Sequence, residues 1–129
     1  MSDYTAKRIK DMEAVFGGGF VKARAELGVT SFGMQVIRMP ADYSDYPEHD
    51  HERDGQEEVY IALKGSGWID IDGERVDLDK DMLVRVGGGI KRKVHSGPEG
   101  LQMLVLGTAR HGTPTTLPGT AGSFAYSVV

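Results

Sequence analysis

The chain has 129 residues, no cysteine and a formal net charge of -4 at pH 7; that length makes one domain able to bury roughly two-thirds of the surface its unfolded chain exposes. Without cysteine there are no disulfides, thiolate nucleophiles or thiolate metal sites, and histidine and carboxylate are left as the ligating side chains. Basic residues are scattered apart from Lys91-Arg92-Lys93, the N-terminus lacks the apolar core of a signal peptide and no run approaches a membrane span, so a cytoplasmic protein that binds neither nucleic acid nor membrane is expected.

Residues 1–30 differ in character from the rest of the chain. Residues 10–16 can hold a helical turn that Gly17-Gly18-Gly19 must break, and residues 20–27 offer helix formers before a stop at Gly28. A short helical arm or lid is expected there. From residue 31 to 110 the pattern changes to strands, at 32–39, 58–64, 67–72, 75–78, 82–86, 92–96 and 101–108, short, rich in β-branched and aromatic residues and separated by turn signals. Asp72-Gly73 is the sharpest of these signals, a two-residue hairpin turn that needs positive φ. Many short strands joined by tight turns predict an all-β antiparallel sandwich or barrel. Residues 111–129 are too rich in Pro, Gly and Thr for a core strand and read as an extended tail, with His111 at the surface. The apolar end of that tail, 124–129, is suited to docking along a sheet edge or on a partner subunit.

Several strands are apolar on both faces. Val59, Ile61 and Leu63 oppose Tyr60 and Ala62, and Leu101, Met103 and Val105 oppose Leu104 and Leu106. Such strands are covered on both sides. Either the arm supplies the outer cover or a second copy does, and a homodimer is the favoured expectation.

His49 and His51 are the most informative residues for function. In extended chain, residues i and i+2 point to one side, so two imidazoles at this spacing converge, as a transition metal requires. The alternative is a solvated loop in which Glu48, Asp50 and Glu52 keep the pair exposed.

The stretch 46–107 resembles the cupin superfamily, small antiparallel jelly-roll barrels that often hold one metal among strand side chains. The resemblance rests first on His49, His51 and Glu58, with six residues between Glu58 and Gly65; the spacer from His51 to Glu58 is longer than usual, and the leading glycine of the motif falls on Tyr43. Glu57 competes for the inward position, since simple alternation puts it inside with Val59, Ile61 and Leu63; the distance to Gly65 and a covered outer face select Glu58. The second motif departs from the pattern. Gly89 matches, but Asp81, Gly87 and Ser96 replace a glycine, a proline and an asparagine, and Arg92 stands where the third metal-binding histidine belongs. His95 lies three residues on, and strand alternation turns it to the opposite face. A guanidinium about 5 Å from a divalent ion repels it by roughly 7 kcal/mol at an effective dielectric of about 20. Arg92 therefore pairs with Glu58, clamps an anionic ligand, or bends out beside Lys91 and Lys93.

The resemblance implies a jelly-roll barrel with a small-molecule site inside. His49, His51 and Glu58 would be ligands to a divalent transition metal (iron, manganese, nickel or zinc), and Arg92 and Tyr60 would act on the substrate. Oxygenation, isomerisation or decarboxylation of a small anionic or oxygenated metabolite fits such a pocket. A metal-free protein that binds or senses a small anion is the second possibility. Gly87-Gly88-Gly89 is a turn and no phosphate loop, since no Gly-Lys-Ser/Thr ending or helix follows it. Ser31, Ser66 and Ser96 have no nucleophile context. Trp68, Phe32, Met34, Met39, Met82 and Met103, with Tyr60, read as core or pocket wall.

Overall fold

The structure is a computed structural model that describes residues 2–53 and 55–109. The tail at 111–129, with His111 and the expected docking of residues 124–129, lies outside the described residues.

Among the described residues, seven antiparallel strands build one sheet: β1 (Ala14–Val15), β2 (Phe20–Val21), β3 (Gly33–Met39), β4 (Gln56–Ile71), β5 (Glu74–Leu78), β6 (Leu83–Val86) and β7 (Arg92–Ala109). Their order is β1-β2-β3-β7-β4-β5, with β6 also paired to β4. The runs expected at 58–64 and 67–72 form the single strand β4, and those at 92–96 and 101–108 form β7. These two pair from Gln56↔Ala109 to Ile71↔Arg92, with register shifts between Ala62 and Lys64 and between Gly65 and Gly67. Glycine is what lets the ladder continue: Gly65 has φ 71°, and a Cβ there would stand 2.0 Å from the Gly100 carbonyl oxygen. The bulges bend both strands, so the first part of β4 runs beside β6 and the second beside β5, and the sheet curls around its own interior.

The Asp72-Gly73 turn joins β4 to β5 as expected, with φ 49° and 85° at its two central residues. Inside the curl, Tyr60, Ile69, Leu78, Val94, Met103 and Val105 are among the buried residues of one continuous core. Phe32, just before β3, and Met82, in the turn before β6, stay 42% and 40% exposed, so neither is core.

The N-terminal segment carries the expected short helix and adds two short strands to it. A 3-10 turn at Ile9–Asp11 leads into β1; the three glycines reverse the chain, and β2 extends the sheet through Phe20↔Ile37 and Val21↔Val36. The helix α1 (Ala23–Leu27) comes next and ends at Gly28, φ 78°, whose N–H donates to the Arg24 and Ala25 carbonyls. Pairing wins over local helix propensity here because β3 presents an open edge. Alternation along β2 sends Phe20 into the barrel and Val21 outward, where Val21, Ala23 and Val36 form a second cluster with Met34 and Leu104. The arm thus covers the outer face over β3 and β7. Over β4 and β6, Leu63 and Leu83 remain exposed, 42% and 68%.

Candidate functional site

Glu58 is the centre of the site. On β4 it alternates with half-buried Glu57, which pairs outside the barrel with Arg85, so Glu58 points inward and is fully buried. Tyr60, two residues on, shares that face, and its hydroxyl donates to Glu58 Oε1 at 2.5 Å. His49 arrives from the loop before β4: it exchanges both backbone hydrogen bonds with Arg92, at 3.0 and 2.9 Å, forming an isolated bridge with the first residue of β7. Residues opposed in this way send their side chains to one face, which places the imidazole of His49 and the guanidinium of Arg92 side by side. His51 is fixed by its N–H on the Gly88 carbonyl, 2.6 Å, and by the Gly55 N–H on its own carbonyl, 2.7 Å. The 87–89 turn therefore also anchors the site.

The four side chains converge on one carboxylate. His49 Nε2 lies 3.3 Å and Arg92 NH1 2.9 Å from Glu58 Oε1, and His51 Nε2 lies 3.0 Å from Oε2. Arg92 also donates to the Gly87 carbonyl and is itself fully buried. It does not bend out beside Lys91 and Lys93. Burial alone would raise the Glu58 pKa, but hydrogen bonds from His49 and His51, the charge of His51 and the Tyr60 hydroxyl outweigh it and hold the carboxyl well below the usual range. Burial first, and then the Glu58 carboxylate, push the Tyr60 phenol far up, so it keeps its proton.

The donor set fits a divalent ion. One ligand atom each from His49, His51 and Glu58 lie within 4.8 Å of one another. Ligands that share a tetrahedral ion at about 2.1 Å stand about 3.4 Å apart, so closing the widest pair of the set takes a movement of up to about 1.4 Å. His49 Nδ1 faces the Pro47 carbonyl at 3.3 Å, and a carbonyl only accepts. With the proton on Nδ1, neutral His49 aims the lone pair of Nε2 at a carboxylate oxygen, two acceptors face to face. A proton on Nε2, as the hydrogen bond to Glu58 requires, or a cation in its place resolves that opposition.

Sequence reasoning missed two features. Tyr46 packs beside the site, its ring 6.3 Å from that of His49 and edge-on to it. Its phenol is pushed up by burial and by Glu58. Across the sheet, His95 does turn to the face opposite Arg92. It stacks on Trp68 at 4.8 Å and is held between Ser44 Oγ and Asp70 Oδ2, each at 2.8 Å, while Arg75 covers Trp68. The i, i+2 spacing of Trp68 and Asp70 was visible in the sequence; the pairing of Trp68 with His95 was not.

No protein-family model matches the sequence, and no curated protein matches it. Among solved structures, a cupin protein from Bacteroides fragilis superposes with a TM-score of 0.69 at 21% identity, over 91% of this chain and 93% of the other. A sugar phosphate isomerase of the cupin superfamily from Silicibacter pomeroyi gives 0.66 at 16% identity, over 81% and 75%. A Thermotoga maritima protein described as a predicted oxalate decarboxylase gives 0.60 at 17%, over 80% and 97%. The chain has the cupin fold, and within it a His-His-Glu group, with His51 and Glu58 buried and His49 partly so, able to hold a metal ion.

Proposed function

We propose that this chain is a metal-dependent catalyst that acts on a small anionic or oxygenated molecule inside the barrel, by chemistry of the oxygenase, isomerase or decarboxylase kind. The observation that carries the reading is the convergence of His49 and His51 on the fully buried Glu58, with His49 Nδ1 on the Pro47 carbonyl. The isomerase and decarboxylase descriptions of similarly folded proteins agree with it. His49, His51 and Glu58 would hold the ion, which would supply Lewis-acid polarisation of a substrate oxygen. Arg92 offsets the charge of Glu58 and fixes one carboxylate oxygen. Tyr60 holds a proton at its hydroxyl next to that same oxygen, and Glu58, Tyr60 and Arg92 are all buried.

One observation favours a second reading, a metal-free anion-binding protein. Arg92 Nε is buried and has no hydrogen-bond partner among the described residues, while NH1 already neutralises Glu58. A ligand oxygen would satisfy it without any metal.

Elemental analysis of tag-free protein separates the two. The catalyst reading expects near-stoichiometric divalent metal that is lost when His49 and His51 are both changed to Ala. Arg92→His, which removes a cation beside the ion and adds an imidazole, should strengthen retention of the metal. Protein that takes up no zinc, manganese, nickel or iron on reconstitution, yet binds small carboxylates, would establish the second reading instead.

A further inference from the structure

A groove of about 910 Å³ opens beside the site, between the turn of the N-terminal arm and the loop that comes after β3. Its size falls within the roughly 300–1,000 Å³ of sites that take drug-sized molecules. Phe16, Phe20, Tyr43 and Tyr46 line it with aromatic surface, and Ile37 and Met39 continue it towards Tyr60 in the same buried cluster. None of His49, His51, Glu58 and Arg92 lines the groove itself, and two of its lining residues connect it to the polar site. Tyr46 lines it while standing edge-on to His49, and Pro47 lines it while its carbonyl faces His49 Nδ1.

Phe16 is the residue that burial and local preference do not explain. It is 71% exposed, its φ is 55°, and its ring stands perpendicular to that of Phe20 at 6.2 Å. An aromatic L-residue in the left-handed region is strained, and strain of this kind persists where the surroundings or a ligand require it. Gly17 and Gly18, at φ 68° and 95°, complete the turn that carries this ring to the rim of the groove.

From this geometry we infer that the ligand is a carboxylate or similar oxyanion bearing a flat apolar group, ideally aryl. Its oxygen head lies at the His49-His51-Glu58 centre and its apolar body lies in the groove, where Phe16 selects for it. The inference rests on the small-molecule site proposed above and adds the class of ligand and a specificity-determining residue. Two-carbon or three-carbon acids would leave the aromatic walls in contact with water and would bind weakly.

The test is a titration of zinc-loaded, ¹⁵N-labelled protein with 3-phenylpropionate and, in parallel, with propionate. The expected result is at least tenfold tighter binding of the aryl acid, with amide shifts at Gly17, Gly18, Gly19 and Tyr46. Phe16→Ala and Phe16→Gly should bring the two affinities to within a few-fold of each other without changing zinc affinity. Phe16→Gly should also raise the thermal midpoint, because glycine accepts φ 55° without strain, so its loss of selectivity is not loss of fold. Equal affinities for the two acids, or no saturable aryl-acid binding by zinc-loaded protein, would overturn the inference and leave the metal reading standing. Selective aryl-acid binding by protein that takes up no zinc would support the groove and remove the metal.

Discussion

Taking a carboxylate out of water costs several kcal/mol, and at Glu58 that cost is offset by Arg92, Tyr60 and two imidazoles. The charge is therefore worth most where its partner is equally buried. Glu58→Gln would strand the guanidinium of Arg92, and urea denaturation should show a loss of about 3–5 kcal/mol. Glu57→Gln removes only an exposed pair with Arg85 and should cost less than about 1 kcal/mol. The two phenols beside the site set the alkaline limit. Tyr46 and Tyr60 have folded pKa values above the ordinary 10.0, so the stability they contribute is present below pH 10 and declines as pH rises beyond it. In an ultraviolet titration, the tyrosinate absorbance of these two residues should appear together with unfolding and not before it. Glu58 works in the opposite direction: its folded pKa lies below 4.5, so its contribution is present above that value and is lost as pH falls below it.

At the scale of the element, β4 and β7 show why glycine misleads when read locally. Gly65, Gly67, Gly97 and Gly100 look like strand breaks, yet the chain crosses them without leaving the sheet, because the same partner strand lies on both sides of each bulge. The close approach is the reason no side chain fits: at Gly67 a Cβ would lie 2.0 Å from the His95 carbonyl oxygen. Gly65→Ala should accordingly cost more than about 3 kcal/mol, since it adds a backbone clash to an unfavourable φ. Gly73→Ala, at φ 85° in open space, should cost about 1 kcal/mol. Chemical denaturation of the two variants compares them directly. The Asp72-Gly73 hairpin was legible because its signal is contained in two residues. The continuity of β4 was not, because it depends on a strand that begins some twenty residues later.

For the whole molecule, the arm ties the outer layer to the barrel. Phe20 and Val21 are neighbours in sequence, and one enters the barrel core while the other enters the outer cluster, so the arm cannot leave without opening both. Val21→Asp would bury an unpaired carboxylate and should detach the arm, read as rapid proteolysis within residues 1–28 and a loss of several kcal/mol. The helix expected within residues 20–27 forms from Ala23, and the open edge of β3 makes a strand of Phe20 and Val21 before it.

Patterns of short range carried the sequence as far as an all-β barrel, a histidine pair and the turn at 72–73, because alternation and turn preference act between residues a few positions apart, while Glu58 rather than Glu57 came from the motif spacing of the cupin resemblance. Tertiary structure alone decided that Arg92 stands opposite His49, that Tyr46 walls the site, that His95 stacks on Trp68 and that the arm's turn borders a groove. Each of these depends on the register between distant strands, and register is set by the packing of the whole barrel and not by any single segment.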